Sequence, residues 1–168
     1  YSCPLITAFG RNCSPARYGC LKTERFAMLI NEAQDAIIEE FEAFDDWIDR
    51  YQLLSDYGRE LKQNPLPEED RIDRNLIDGC QSKVWITCRK GEDGKLYFKG
   101  DSDALLVQGI VALILQVFNG HTPKEILDAQ LYFIERIGLQ EHLSPTRSNG
   151  VVAMIKQIRM FALAYQAV

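Results

Sequence analysis

The chain has 168 residues, of which 46% are hydrophobic, and this is enough to bury the core of one domain and to exclude an intrinsically disordered protein. Its formal net charge of −5 argues against nucleic acid or an anionic membrane as a partner, because both attract a concentrated excess of Lys and Arg. No apolar run predicts a membrane span, since the best candidate, residues 104–118, is interrupted by Gln108, Gly109 and Gln116.

The N-terminal segment, residues 1–27, differs in composition from the rest of the chain. It holds three of the five cysteines and four basic residues against the single acid Glu24, and Met28 stands just before the first helical pattern. We expect residues 1–27 to be a disordered or non-native extension, and residues 28–168 to form one domain. The acid-free start also fits the remnant of an organellar transit peptide.

Two amphipathic helices are predicted after this segment. Apolar residues recur at helical spacing across residues 30–44, with acids between them. Asp45 and Asp46 can start a second helix, and Gly58 is the type of residue that ends a helix in a left-handed conformation. The two helices are expected to pack as a pair.

The middle of the chain predicts a loop followed by a β-hairpin. Residues 61–73 contain two prolines and a cluster of acids, which is typical of a connecting loop, and residues 74–77 are expected to be extended. Strand-favouring side chains fill residues 84–87 and 96–98, and glycines at both ends of residues 91–94 favour a turn between them.

The last third of the chain is predicted to be helical. Asp101, Ser102 and Asp103 supply side chains that can cap a central apolar helix over residues 104–118. Thr122, Pro123 and Glu125 then form a capping box with a proline at the first helical position. Two further helical pieces follow, separated by a polar loop. The ranges are 130–137 for the first helix, 144–149 for the loop and 151–165 for the last helix.

These elements predict an α+β fold in which several helices pack over one small antiparallel sheet. Within it, Cys80 and Cys88 do not form an obvious pair, because a continuous strand between them would separate their backbones by about 26 Å at about 3.3 Å per residue. His121 and His142, both expected to face solvent, add no recognisable ligand pattern. We therefore expect no metal site, and we interpret Cys88 as a small hydrophobic residue in a strand.

Cys80 stands in the sequence GCQSKVW at residues 79–85, beside a glycine and just before a predicted strand. The thiolate is the reactive form of cysteine, so reactivity depends on how the surroundings shift the thiol pKa. From these residues alone, a buried structural cysteine and a reactive one both remain open.

A wider set of motifs narrows the choice. GCQSKVW at 79–85, GDSDALLVQG at 100–109 and HLSPTRSNG at 142–150 resemble the SufE family of sulfur-acceptor proteins, in the family's order and with similar spacings from about residue 41 to 165. The resemblance implies a SufE/IscU-like α+β fold. It also implies that Cys80 accepts sulfur from a SufS-type cysteine desulfurase and passes it toward a downstream iron–sulfur scaffold.

The desulfurase is a pyridoxal-phosphate enzyme, so the resemblance assigns that cofactor to the partner and expects none on this chain beyond a transient persulfide on Cys80. Asp101, Ser102 and Asp103 then have a second possible role, at the border of the cysteine loop or in docking, and Arg147 could pair with an acid, the thiolate or the partner. The residues expected to support the loop or bind the partner are Gly79, Gln81, Ser82, Asp101, Ser102, Asp103 and Arg147.

Two alternatives stay open beside a sulfurtransferase-type acceptor, and whether such an acceptor counts as an enzyme is also open. One is a non-catalytic adaptor that regulates a desulfurase without carrying sulfur. The other, an iron–sulfur scaffold, is disfavoured because residues 28–168 contain only Cys80 and Cys88 as thiol ligands. We expect a monomer or weak homodimer in a bacterial cytoplasm, with a plastid or other organelle as the alternative.

Overall fold

The structure is a computed structural model and describes residues 29–168. This part of the chain forms seven α-helices and one two-stranded sheet. In chain order they are α1 (Ile30–Glu42), α2 (Trp47–Leu61), β1 (Val84–Lys90), β2 (Leu96–Ser102), α3 (Leu105–Phe118), α4 (Pro123–Asp128), α5 (Phe133–Arg136), α6 (Leu139–His142) and α7 (Pro145–Gln166). The predicted α+β class is confirmed. The prediction for residues 1–27 lies outside the described residues.

The core is built around α3, which is buried along nearly its whole length. Eleven of its 14 residues are buried, because the segment is apolar on all sides rather than along one stripe. The hairpin packs against it: β1 and β2 pair antiparallel from Val84–Ser102 to Lys90–Leu96, as the strand-favouring residues predict, and both strands are longer than expected. Val84 and Ile86 on β1 are fully buried beneath the helices.

Helices α2 and α3 touch through two glycines. A Cβ atom on Gly109 would lie 2.0 Å from the carbonyl oxygen of Leu54, and one on Gly58 would lie 2.7 Å from the carbonyl oxygen of Leu105. The prediction that Gly58 ends α2 is therefore wrong, since the helix continues to Leu61. Gly58 is there because the two backbones approach too closely for a side chain.

Helix α4 begins at the residues that the sequence predicts. The hydroxyl of Thr122 accepts a hydrogen bond from the backbone N–H of Glu125, and the Glu125 carboxylate accepts one from the N–H of Thr122, so the capping box over α4 is confirmed. The predicted helix over residues 130–137 is reduced to the single turn of α5.

The polar loop predicted over residues 144–149 is wrong, because this segment is the first part of α7. Ser144 is the residue before the helix and Pro145 occupies its first turn, where the missing N–H of proline costs nothing. The final helix is therefore 22 residues long and passes from the start of the hairpin to α4.

The two histidines occupy different environments. His142 is exposed, as expected, and stacks on Trp47 with ring centroids 3.7 Å apart. His121 is only 5% exposed, so the expectation that it faces solvent is wrong, and its backbone pairs with Leu96 at the edge of the hairpin. Burial lowers the pKa of His121, although the nearby Glu125 opposes the effect.

Between residues 29 and 168, no helix combines the length and apolar character required to cross a lipid bilayer.

Candidate functional site

Cys80 lies in a short loop whose two ends meet. The N–H of Ile77 donates a hydrogen bond of 2.8 Å to the carbonyl oxygen of Val84, and Leu76 forms a further bridge with Trp85. Residues 78–83 therefore leave and rejoin the start of the hairpin as a closed loop. Gly79 has φ +88°, a left-handed conformation that side-chain-bearing residues rarely adopt, so its place beside Cys80 has a backbone reason.

The thiol of Cys80 is half-buried against α7. Its Sγ atom donates to the carbonyl oxygen of Gly150 at 3.7 Å, and burial raises the pKa of the thiol. A raised pKa keeps the thiol protonated and slow to react. Cys88 is more strongly affected, because burial within β1 raises its thiol pKa to about 12. In this fold, burial therefore opposes ionisation of both thiols.

One face of α7 supports the loop. The hydroxyl of Thr146 donates to Oε1 of Gln81 at 3.0 Å, and Gly150 lies one turn later beneath Cys80. Ala153 follows on the same face, 4.0 Å from the position that a Cβ of Gly79 would take. Residues spaced four and three apart share one side of a helix. Thr146, Gly150 and Ala153 therefore form the surface of α7 on which the loop packs.

The sequence analysis did not identify this surface of α7. Thr146, Gly150 and Ala153 have the spacing of a helical face, but the first two fell in or beside the segment predicted to be a loop. The signal that could have found them was Ser144 followed by Pro145, the same order of cap and proline that correctly predicted α4.

The Asp101–Asp103 segment holds the far end of the cysteine loop. The carboxylate of Asp103 accepts a hydrogen bond from the N–H of Lys83 at 3.1 Å, and the Ser102 hydroxyl donates to the carbonyl oxygen of Lys83 at 2.8 Å. The prediction that these residues cap α3 is wrong in its main point, because Asp101 and Ser102 belong to β2 and the residue preceding α3 is Ala104. Only a weak cap-like contact remains, 3.3 Å from the N–H of Ala104 to the Ser102 hydroxyl.

Asp101 is the buried charge of the site. Its carboxylate forms an ion pair of 2.5 Å with Arg71 and also accepts hydrogen bonds from the N–H of Ser102 and the side-chain amide of Gln108. Arg71 belongs to the segment that leads from α2 to the cysteine loop, so the pair ties that segment to the end of β2. Sequence reasoning identified neither Arg71 nor Gln108 as part of the site.

Two of the expected site residues form no side-chain hydrogen bond or ion pair within residues 29–168. Ser82 is half-buried but its side chain makes no hydrogen bond with the part of the chain that the structure describes. Arg147 is exposed in the first turn of α7, and its side chain forms neither an ion pair nor a hydrogen bond within residues 29–168. The structure thus joins Gly79, Cys80 and Gln81 to α7, and leaves Arg147, next to Thr146, without an ion pair among the residues it describes.

A surface groove of about 760 Å³ lies elsewhere, between α1 and α4. It is lined by His121, whose backbone pairs with Leu96 at the end of the hairpin opposite Val84. Six residues of strand separate the two ends, or about 20 Å at 3.3 Å per residue. The groove is therefore separate from the cysteine loop. No group of three or more His, Cys, Asp or Glu side chains within the described residues is arranged to hold a metal ion.

Comparison with known proteins assigns the chain to a family. Residues 35–162, more than half of the chain, match the family model described as SufE, Fe-S metabolism associated domain. The chain belongs to the SufE family. It is 45% identical to an uncharacterized SufE-like protein of Synechocystis over 130 residues, which are 77% of this chain and 80% of that protein. It is 41% identical to an uncharacterized SufE-like protein of Rhizobium meliloti over 130 residues, covering 74% and 91% of the two chains.

A solved structure has the same fold. The solution structure of a hypothetical protein from Thermus thermophilus superposes with a TM-score of 0.66 at 20% identity, covering 81% of this chain and 97% of the other. Membership of the SufE family associates the chain with iron–sulfur metabolism. Within the family domain, the three sequence motifs meet at one place: the cysteine loop, the end of β2 and the start of α7.

Proposed function

We propose that Cys80 accepts sulfur from the persulfide of a SufS-type cysteine desulfurase and carries it toward an iron–sulfur scaffold. The observation that carries this proposal is the position of Cys80 in a closed loop whose ends are held by Ile77, Val84 and Lys83. Among the described residues, the one hydrogen bond of the thiol is a long contact with Gly150, and the side chain otherwise packs only partly buried against the core. Such a thiol can leave its place without changing the hairpin. Membership of the SufE family, which is associated with iron–sulfur metabolism, also supports the proposal.

The transfer is a sulfur exchange with no net oxidation. The Cys80 thiol loses its proton, and the thiolate attacks the outer sulfur of the donor persulfide. The donor S–S bond breaks, the donor cysteine leaves as a thiolate, and a new S–S bond forms on Cys80. Pyridoxal phosphate acts only in the partner, where it releases the sulfur from free cysteine.

The resting state of Cys80 suits a carrier better than an independent enzyme. A free thiol with a pKa near 8.5 is only about 3% ionised at pH 7, and burial lowers that fraction further in this chain. Lifting Cys80 from Gly150 removes the cause of the raised pKa. Docking of the desulfurase therefore exposes and activates the thiol in one step, and the loaded sulfur is sheltered again on release.

The test is persulfide formation on a defined cysteine. The protein is incubated with a SufS-type desulfurase, pyridoxal phosphate and cysteine, and the Cys80 and Cys88 peptides are examined by mass spectrometry. One added sulfur on Cys80, retained in Cys88→Ser and lost in Cys80→Ser, is the expected result. Absence of sulfur on Cys80 in the unmodified protein overturns the proposal. If Cys80→Ser still stimulates desulfurase turnover fully, the chain is a regulatory adaptor.

A further inference from the structure

The carbonyl group of Gly150 is not the only part of this residue that meets Cys80. A Cβ atom at position 150 would lie 3.2 Å from Sγ of Cys80 and 3.7 Å from both its Cα and its Cβ. The first distance is shorter than ordinary contact between carbon and sulfur, so the thiol occupies space that any other residue would fill. Gly150 itself is buried beneath the loop.

The helix gives no reason of its own for a glycine at this position. Gly150 is the sixth residue of α7, and its φ is not among the positive values found in this chain. Glycine inside a helix is destabilising relative to alanine, because it has more backbone freedom to lose. The missing side chain is therefore explained by the contact with Cys80.

A persulfide makes a larger demand on the same space. It extends the side chain by one sulfur atom at about 2.05 Å from Sγ. A methyl group at position 150 competes with the sulfur for the space between loop and helix, and the loop yields more easily than the helix. Its ends are fixed, but within the described residues its middle is hydrogen-bonded to α7 only from Cys80 to Gly150 and between Gln81 and Thr146.

We propose that Gly150 is a positioning residue, whose missing side chain lets the sulfur of Cys80, first as thiol and then as persulfide, rest between the loop and α7. This inference rests on the proposed function only for the reason why a sheltered sulfur is useful. The effect of Gly150 on the position of the Cys80 sulfur does not depend on it. Gly150→Ala raises the exposure of the sulfur in both forms, while the fold stays intact and Cys80 keeps its ability to form a persulfide.

The experiment compares the full chain, Gly150→Ala and Asn149→Ala, a matched change at an exposed neighbour in the same helical turn. Inorganic polysulfide loads Cys80 without any desulfurase, since the thiolate takes a sulfur atom and releases a polysulfide shorter by one atom. Cyanide then removes the outer sulfur as thiocyanate and restores the thiolate. Loss of sulfur is followed on the Cys80 peptide by mass spectrometry, and folding by thermal unfolding.

We expect Gly150→Ala to lose sulfur to cyanide about tenfold faster than the unmodified chain, which corresponds to about 1.4 kcal/mol of easier exposure. Its reaction with iodoacetamide should also begin at lower pH, because the cause of the raised Cys80 pKa is removed. A merely structural role would change the melting temperature without moving this pH profile. Asn149→Ala should match the unmodified chain in every measurement.

Equal cyanide and iodoacetamide rates in the three proteins overturn the role of Gly150. The iodoacetamide comparison decides the matter alone if polysulfide does not load the chain, since it needs only the free thiol. Failure of the desulfurase to load Cys80, with Gly150→Ala still faster in both assays, rejects the proposed function and keeps the inference about Gly150.

Discussion

The guanidinium group of Arg71 lies 2.5 Å from the carboxylate of Asp101, and this ion pair joins the segment leading to Cys80 to the end of β2. The Asp101 side chain is only 12% exposed, against 33% for Arg71. Removing the arginine therefore leaves a mostly buried carboxylate with two neutral donors, Ser102 and Gln108, as its remaining partners.

Arg71→Ala should lower the free energy of unfolding by about 2–3 kcal/mol, because an uncompensated charge in a buried place is costly. Arg71→Ala with Asp101→Asn should recover part of the loss, since the charge is then gone. Urea unfolding measures both. Arg59→Ala is the control: the Arg59–Asp56 pair is about half-exposed at both ends, and its loss should cost no more than about 0.5 kcal/mol. Equal losses at Arg71 and Arg59 would contradict the assignment.

Reaction of the thiols with iodoacetamide should depend on pH in an order set by burial. Only the thiolate reacts, so a raised pKa shifts the rise in rate to higher pH. Cys80 should therefore begin to react at higher pH in the folded chain than in urea. Cys88, with a pKa of about 12, should begin to react at a still higher pH. The rates are measured on each peptide by mass spectrometry. Identical profiles in folded and unfolded protein would show that burial does not control these thiols.

The hydrogen bond from Thr146 to Gln81 should slow the opening of the cysteine loop. Thr146→Val keeps the shape of the side chain and removes the donor, so hydrogen exchange of residues 78–83 should become faster by about two- to fivefold, as expected for a bond of about 0.5–1 kcal/mol. Thr146→Ser keeps the hydroxyl and serves as the control. An exchange rate that Thr146→Val leaves unchanged would mean that this contact does not hold the loop.

Gly109→Ala should be among the most damaging small substitutions in the chain. Its methyl group would meet the carbonyl oxygen of Leu54 at 2.0 Å, so α2 and α3 have to separate, at a cost of about 3 kcal/mol or more. Gln52→Ala, on the exposed side of α2, should stay within about 0.5 kcal/mol of the unmodified chain. Thermal or urea unfolding tests both, and a near-neutral Gly109→Ala would show that the two helices are not in this close contact.

Local signals in the sequence predicted those elements that neighbouring residues determine. The capping box at Thr122 and the amphipathic α1 depend on residues within one or two helical turns, and the hairpin pairs residues at most 18 positions apart; each is confirmed. Resemblance to the SufE family added the order of the three motifs, and family membership is confirmed.

The predictions failed where distant segments meet. Gly58 looked like a helix end because its contact with Leu105 is invisible in the sequence, and Asp101 looked like a cap because Arg71 lies 30 residues away. Gly150 is separated from Cys80 by 70 residues, so their contact is equally invisible. The loop predicted over residues 144–149 is a local failure instead, since Ser144 and Pro145 together signal the start of a helix. The roles of Cys80, Gly79, Gln81 and Arg147 in sulfur transfer stay predictions.

The hydrogen bond between Ile77 and Val84 closes the cysteine loop, residues 78–83, at its base. It therefore separates the free energy of opening this loop from the free energy of unfolding the domain. Opening the loop breaks its few contacts with α7, whereas unfolding the domain breaks the hairpin and the core around α3. Mutations that destabilise the core therefore need not change how often Cys80 becomes exposed, and mutations at the loop need not change the free energy of unfolding. The stability of the domain and the exposure of the Cys80 thiol can be adjusted independently in this fold.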